Sequence, residues 1–227
     1  MTSIALIGPG RHGTAIAQLF ASHGVDVVLH HHRRDKAEAA AAAVRLVAND
    51  ADVTVADTAR DAVEGQRFVF LTTLWDAPQR AVIAELGDGL VGKILVDVSN
   101  PLDVTPQGII PRTPPQGSAG GFVASLLPAG TGHVKVFSML PTAAIRAAAD
   151  LDPIAALPFA ADSDATASPA RELLALTGWK PWLVGDLSVS GDLEIGGRFN
   201  RAPGHWGRAV LSAEEMAAFA GPEPTLG

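Results

Sequence analysis

Ile4-Ala5-Leu6-Ile7-Gly8-Pro9-Gly10-Arg11-His12-Gly13, followed by Thr14-Ala15-Ile16-Ala17-Gln18-Leu19-Phe20, decides the fold. An apolar run of strand length meets a glycine-rich turn, and the turn opens into a helical pattern. Gly8 suits the tight turn, Gly10 lets backbone approach a pyrophosphate, and Gly13 lets helix pack close on strand. The free N–H groups at the helix start then face the phosphates. Glycine-rich turns are common, so the context carries the reading: a strand before, a helix after, and a second strand, Val25–His30, at the right distance. The residues Gly8, Pro9, Gly10, Arg11, His12 and Gly13 therefore read as a dinucleotide site; the alternative is an incidental tight turn.

Outward from the turn, strands and helices alternate. Strands are expected at 3–7, 25–30, 53–55, 68–71 and 94–98, with helices at 12–22, 35–47, 58–64 and 76–86 between them. This is the pattern of an α/β, Rossmann-type, doubly wound and mostly parallel sheet. Residues 102–118, with Pro106, Pro111, Pro114 and Pro115, read as a long loop or lid. A helix at 118–127, a strand at 133–137, a helical stretch at 142–149 and a short strand at 157–160 follow. Ser168-Pro169 reads as the start of a helix, 182–184 as the last strand, and 213–220 as a last short helix. Residues 1–185 form the nucleotide-binding domain in this reading, and 186–227 a tail completing the pocket or a dimer interface.

The end of the second strand selects the dinucleotide. A site for NAD usually has Asp or Glu there for the ribose 2′-hydroxyl. Here the strand runs into His30-His31-His32-Arg33-Arg34, and the nearest acid, Asp35, already belongs to the next helix. Cations and imidazole donors suit the 2′-phosphate of NADP. A solvated basic corner is the plainer alternative. A metal site is disfavoured, because successive strand residues point to opposite faces.

Thr72-Thr73-Leu74-Trp75 and Ser99-Asn100-Pro101 leave the fourth and fifth strands at the carboxyl edge, where open α/β sheets bind ligands. The threonine hydroxyls and Asn100 can bond a cofactor there. Trp75 reads equally as a pocket wall or as core, and Asn-Pro equally as a turn. Lys135 reads most simply as a charge at a strand end.

Composition bounds the rest. The chain has 227 residues, 48% hydrophobic, with no cysteine and a net charge of −7. It can bury a core, it has no disulfide or thiolate chemistry, and its charge disfavours nucleic acid as a partner. No run approaches a membrane span or a signal core, so a cytoplasmic protein without membrane partners is expected.

The blocks G-P-G-R-H-G, H-R-R-D-K-A-E, L-T-T-L-W, G-K-I-L-V-D-V-S-N-P-L, V-K-V-F-S and the late G-D-L-S resemble the deazaflavin (coenzyme F420)-dependent NADP reductases, a group that also takes in the cytosolic domain of membrane ferric reductases. The resemblance runs from Ser3 to Glu194. It departs at His31-His32, where the family often has Ser or Thr then Arg, at Ser138, where it often has Asn, and in the tail from Gly196. The resemblance implies direct hydride transfer between nicotinamide and deazaflavin, with no essential acid or base. It implies 2′-phosphate contacts near His31, His32 and Lys36, and nicotinamide-side contacts near Thr72, Thr73, Leu74 and Asn100. About 40 residues follow the last expected strand, so the large helical second domain of hydroxyacid dehydrogenases is not expected.

Three functions follow as expectations. The first is NADP-dependent hydride transfer with a deazaflavin (F420) or flavin-type partner. The second is reduction of a small imine or carbonyl, which needs a proton donor such as Thr73, Lys135 or Ser138. The third is a non-catalytic NADPH sensor. The tail's apolar residues Leu187, Leu193, Ile195, Phe199 and Trp206 need cover, which suggests a homodimer, a tail wrapped on its own domain being the alternative, and Arg198, Arg201 and Arg208 would attract an anionic partner.

Overall fold

The computed structural model describes residues 2–200 and 210–226. Its elements are β1 (Ser3–Ile7), α1 (Arg11–Ser22), β2 (Asp26–His30), α2 (Arg34–Arg45), β3 (Val53–Val55), α3 (Ala59–Val63), β4 (Phe68–Leu71), α4 (Ala77–Leu86), β5 (Ile94–Asp97), β6 (Leu102–Thr105), β7 (Gly108–Pro111), α5 (Ala119–Ala124), β8 (Gly132–Lys135), α6 (Ala144–Ala147), β9 (Ala156–Ala161), α7 (Asp164–Ala175), β10 (Lys180–Gly185) and α8 (Ala213–Ala220). Among the described residues, eight strands form one sheet in the order β10-β9-β8-β5-β4-β1-β2-β3. From β3 to β8 the neighbours are parallel; β9 meets β8 antiparallel and pairs parallel with β10. The fold is the expected Rossmann-type α/β sheet.

Strand periodicity builds two cores. Ile4, Leu6, Phe68 and Phe70 face one side, with Ile16, Phe20 and Val44 of α1 and α2. Ala5, Ile7, Val69 and Leu71 face the other, with Ala62, Ile83 and Phe122 of α3, α4 and α5. Successive strand residues point to opposite faces, so a strand covered on both sides must be apolar throughout.

Three expectations change. Residues 102–118 are not a bare loop: β6 and β7 pair as an antiparallel hairpin, tied by an Arg112–Asp103 ion pair. Its exposed Val104, Ile109 and Ile110 show why no alternation marked it. Helix α7 begins at Asp164, with Pro169 inside it; the spacing of the buried Ala167, Ala170, Leu173 and Leu174 outweighs the Ser-Pro signal.

The described part of the tail packs on its own domain. Leu193, Phe199, Val210, Leu211 and Met216 are buried in the α1 and α2 core, and Glu223 bonds Arg171 and the Leu183 amide. Leu193 and Phe199 therefore give no ground for a dimer. Ile195 is exposed, and Arg201, Trp206 and Arg208 lie outside the described residues. Among those residues, no helix is long and apolar enough to cross a membrane.

Candidate dinucleotide site

The turn after β1 shows why each glycine is there. Gly8 has φ +78°, and a Cβ on it would lie 2.3 Å from the Thr73 methyl. A Cβ on Gly13 would lie 2.5 Å from Thr72 Oγ1. These two glycines let the β4 exit pack on the turn. Gly10 differs: its φ is −81°, open to any residue, and a Cβ on it would meet nothing within 4 Å. The fold makes no demand for glycine there. The open space before it, at the start of α1, is where an approaching diphosphate would need the room.

Two turn side chains diverge. Arg11 is exposed. His12 turns inward, its Nδ1 sitting 3.1 Å from Thr142 Oγ1. Burial lowers its pKa, with a backbone hydrogen bond at Phe137 opposing, so it is neutral at pH 7.

At the β2 exit, the rings of His31 and His32 lie 4.3 Å apart. Both lie beyond β2, so strand alternation does not separate them as the sequence argument assumed. The Arg33 amide donates to His31 Nδ1 at 3.0 Å, and the Arg33 guanidinium pairs with Asp35. Burial, then the charges of His32, Arg33 and His30, lowers the His31 pKa. Lys36 stands exposed in the first turn of α2. Among the described residues, no group of three or more His, Asp or Glu is arranged to hold a metal.

On the other side of the turn, Thr72 Oγ1 donates to Ile7 O at 3.0 Å. Thr73 Oγ1 is buried without a partner, and Leu74 is exposed. Trp75 packs on Phe122, with ring centroids 5.6 Å apart. Asn100 is engaged at both ends: Nδ2 donates to Ser138 O at 2.8 Å, and Oδ1 accepts from the Ile195 amide at 2.6 Å. Ser138 Oγ donates to Leu193 O, and Asn200 Nδ2 donates to Met139 O. The tail from Leu193 to Asn200 is thus tied to the carboxyl edge of the sheet. Phe137, at the centre of these contacts, is fully buried with φ +64°, a strained conformation for an aromatic residue.

Sequence reasoning missed what lies beneath this edge. Lys135 is no exposed strand-end charge; it is wholly buried. Its Nζ lies 3.0 Å from Asp97 Oδ2 and 3.4 Å from Glu194 Oε1, and donates to Ser99 O at 2.6 Å. Glu194 also accepts from the Gly120 amide at 2.9 Å. Burial alone would raise the Asp97 carboxyl, but Lys135, His133 and Ser99 together hold it well below the usual carboxylate range. Nothing in β8 alone signals the burial of Lys135; the register explains it, since Asp97 and Lys135 are direct partners on the parallel strands β5 and β8.

Residues 3–101 match the family model described as NADP oxidoreductase, coenzyme F420-dependent. A hypothetical protein of Sinorhizobium meliloti is 24% identical, over 87% of this chain and 92% of its own, with a TM-score of 0.73. A protein of Arthrobacter sp. FB24 assigned as an F420-dependent NADP reductase is 23% identical, over 91% and 95%, with a TM-score of 0.66. A reductive aminase of Aspergillus terreus, solved with NADPH and ethyl-5-oxohexanoate, is 20% identical over 86% of this chain and 58% of its own, with a TM-score of 0.61. At these identities the likeness shows the fold. None of the curated proteins matches the chain.

Proposed function

We propose, from the match of residues 3–101 to the family model of coenzyme F420-dependent NADP oxidoreductases, that this protein passes hydride between NADPH and a deazaflavin or flavin-type ring. The observation that carries the dinucleotide part is Gly10, a glycine the backbone does not need, facing open space at a helix start. The cradle fits a diphosphate, and His31, His32, Arg33 and Lys36 fit a 2′-phosphate. When bound, NADPH supplies the hydride, and the acceptor ring takes it.

The chain's own residues bind and orient. Gly8, Pro9, Gly10, Arg11, His12 and Gly13 seat the diphosphate in this reading. Thr72, Thr73, Leu74 and Asn100 border the nicotinamide end, Asn100 through the Ser138 and Ile195 backbone that it holds. Exposed Leu74 and Ile195 offer apolar surface to a planar ring at the exits of the neighbouring strands β4 and β5. Residues 1–185 hold the dinucleotide, and the tail completes the pocket.

Reduction of an imine or carbonyl would need an acid beside the forming amine or alkoxide. Lys135 is held in ion pairs and Ser138 Oγ by Leu193 O. Both engagements count against these two side chains as the acid; Thr73 Oγ1, buried without a partner, is the candidate that stays available to an imine reductase. NADPH consumption tests the reading when assayed with the deazaflavin coenzyme, with free flavin, with a cyclic imine, and alone. Turnover with a deazaflavin or flavin is expected. Turnover with the imine alone would make the protein an imine reductase, and tight NADPH binding without turnover would make it a sensor.

A further inference from the structure

A groove of about 610 Å³ opens at the glycine turn and runs between α1, α2 and α6. Arg11, Lys36 and Arg146 line it, one from each helix, and no acidic residue does. All three are exposed, and none joins an ion pair among the described residues. Arg33, Arg34, Arg80, Arg112, Arg171 and Lys135 each have a carboxylate partner. Arg45, Arg60, Arg67, Lys93, Lys180 and Arg198 have none either among the described residues, so what sets Arg11, Lys36 and Arg146 apart is that they line one groove free of acidic residues. Three cations outside any ion pair around one acid-free concavity stand out in a chain of net charge −7. Such a cleft concentrates positive potential and selects an anion.

The position of α6 narrows the choice of anion. It follows β8, which lies on the other side of β1 from β2 in the sheet. Arg146 therefore stands across α1 from the His31–Arg33 corner expected to meet a 2′-phosphate. Thr142 bonds His12 in the first turn of α1, which fixes the entry of α6 against the glycine turn. Residues 142–146 lie outside the part of the chain that matches the family.

We propose that Arg146 is a binding residue for the dinucleotide's diphosphate, closing over it from α6 while Arg11 and the α1 amides hold it from the turn. This rests on the NADP reading above. The diphosphate is common to NADPH and NADH, so Arg146 contributes equally to both, whereas Lys36, at the β2–α2 end of the groove, favours NADPH.

The test is calorimetric titration of the wild type, Arg146→Gln, Lys36→Gln and the remote control Lys180→Gln. The probes are NADPH, NADH and inorganic pyrophosphate. Arg146→Gln should weaken all three by a similar factor, about 10-fold for one charge-assisted contact. Lys180→Gln should weaken none, and all variants should keep the wild-type melting temperature. Unchanged affinities in Arg146→Gln would overturn the proposal while leaving the NADP reading intact. A loss confined to NADPH would also overturn it, by moving Arg146 to the 2′-phosphate. If the wild type bound neither dinucleotide, the NADP reading would fail; Arg146-dependent binding of pyrophosphate would then uphold the groove as a diphosphate site, and its absence would overturn that too.

Discussion

Replacing Lys135 by methionine removes the one ammonium that Asp97 and Glu194 share beneath the carboxyl edge. Methionine keeps the length and apolar stem but leaves both buried carboxylates without their cation. Breaking a buried pair in this way costs about 3–5 kcal/mol. For a domain of this size each kcal/mol lowers the melting temperature by about 2–4 °C, so a drop of roughly 6–20 °C is expected. Asp97→Asn and Glu194→Gln added to Lys135→Met should recover most of it, because a neutral cluster carries no stranded charge.

The pH dependence gives the effect its sign. The Asp97 carboxyl is lowered in the fold, so its contribution is present above the ordinary carboxylate value of 3.8 and is lost as pH falls through the folded value. The gap between wild type and Lys135→Met should be widest near neutrality and should close in acid. Calorimetric melting from neutral pH downward measures it. A variant within about 1 °C of wild type at pH 7 would refute the reasoning, since one stranded carboxylate already costs more than that.

Gly10→Val should leave the melting temperature nearly unchanged, since φ −81° and open space accept a side chain, while calorimetry should show NADPH affinity falling by orders of magnitude. Gly8→Ala should do the reverse to the fold: at φ +78° with Thr73 at 2.3 Å, it should lower the melting temperature measurably. NADPH should bind at least ~10-fold tighter than NADH, worth about 1.4 kcal/mol, and Arg33→Ala or His32→Ala should shrink the difference; equal affinities in the wild type would remove the 2′-phosphate from this corner. His31 is lowered in the free protein, and a phosphate neighbour would raise it, so NADPH affinity should fall as pH rises through the bound-state value while NADH affinity stays flat.

β1, β4 and β5 were legible as runs buried on both faces, β2 and β3, only partly buried, by their valines between turn signals, and the turn because its glycines have fixed spacing. The hairpin was not: β6 and β7 make a two-stranded ribbon beside the main sheet, with exposed apolar residues and prolines that read as loop. Lys135 was misread because a strand gives no sign of what its last residue meets. Only after Asp97 is set opposite it on β5, and Glu194 is brought in from the tail, does a charge become a core residue.

The tail shows the same limit from the other direction. Its apolar residues demanded cover, and hydrophobicity alone does not say whose surface provides it. Polar contacts decide the described part. Asn100 grips Ile195, Ser138 grips Leu193, and Glu194 reaches the Lys135 cluster. These are three successive residues, each held by a different strand exit or loop of the same chain. A segment tied at consecutive residues has little freedom to exchange with a neighbour. Removing residues 197–227 should therefore strip Phe199, Val210, Leu211 and Met216 from the main core and lower the melting temperature of the whole domain. Light scattering and calorimetry on that truncation would separate the two accounts. A truncated chain with unchanged melting temperature but a lower oligomeric mass would refute the intramolecular one.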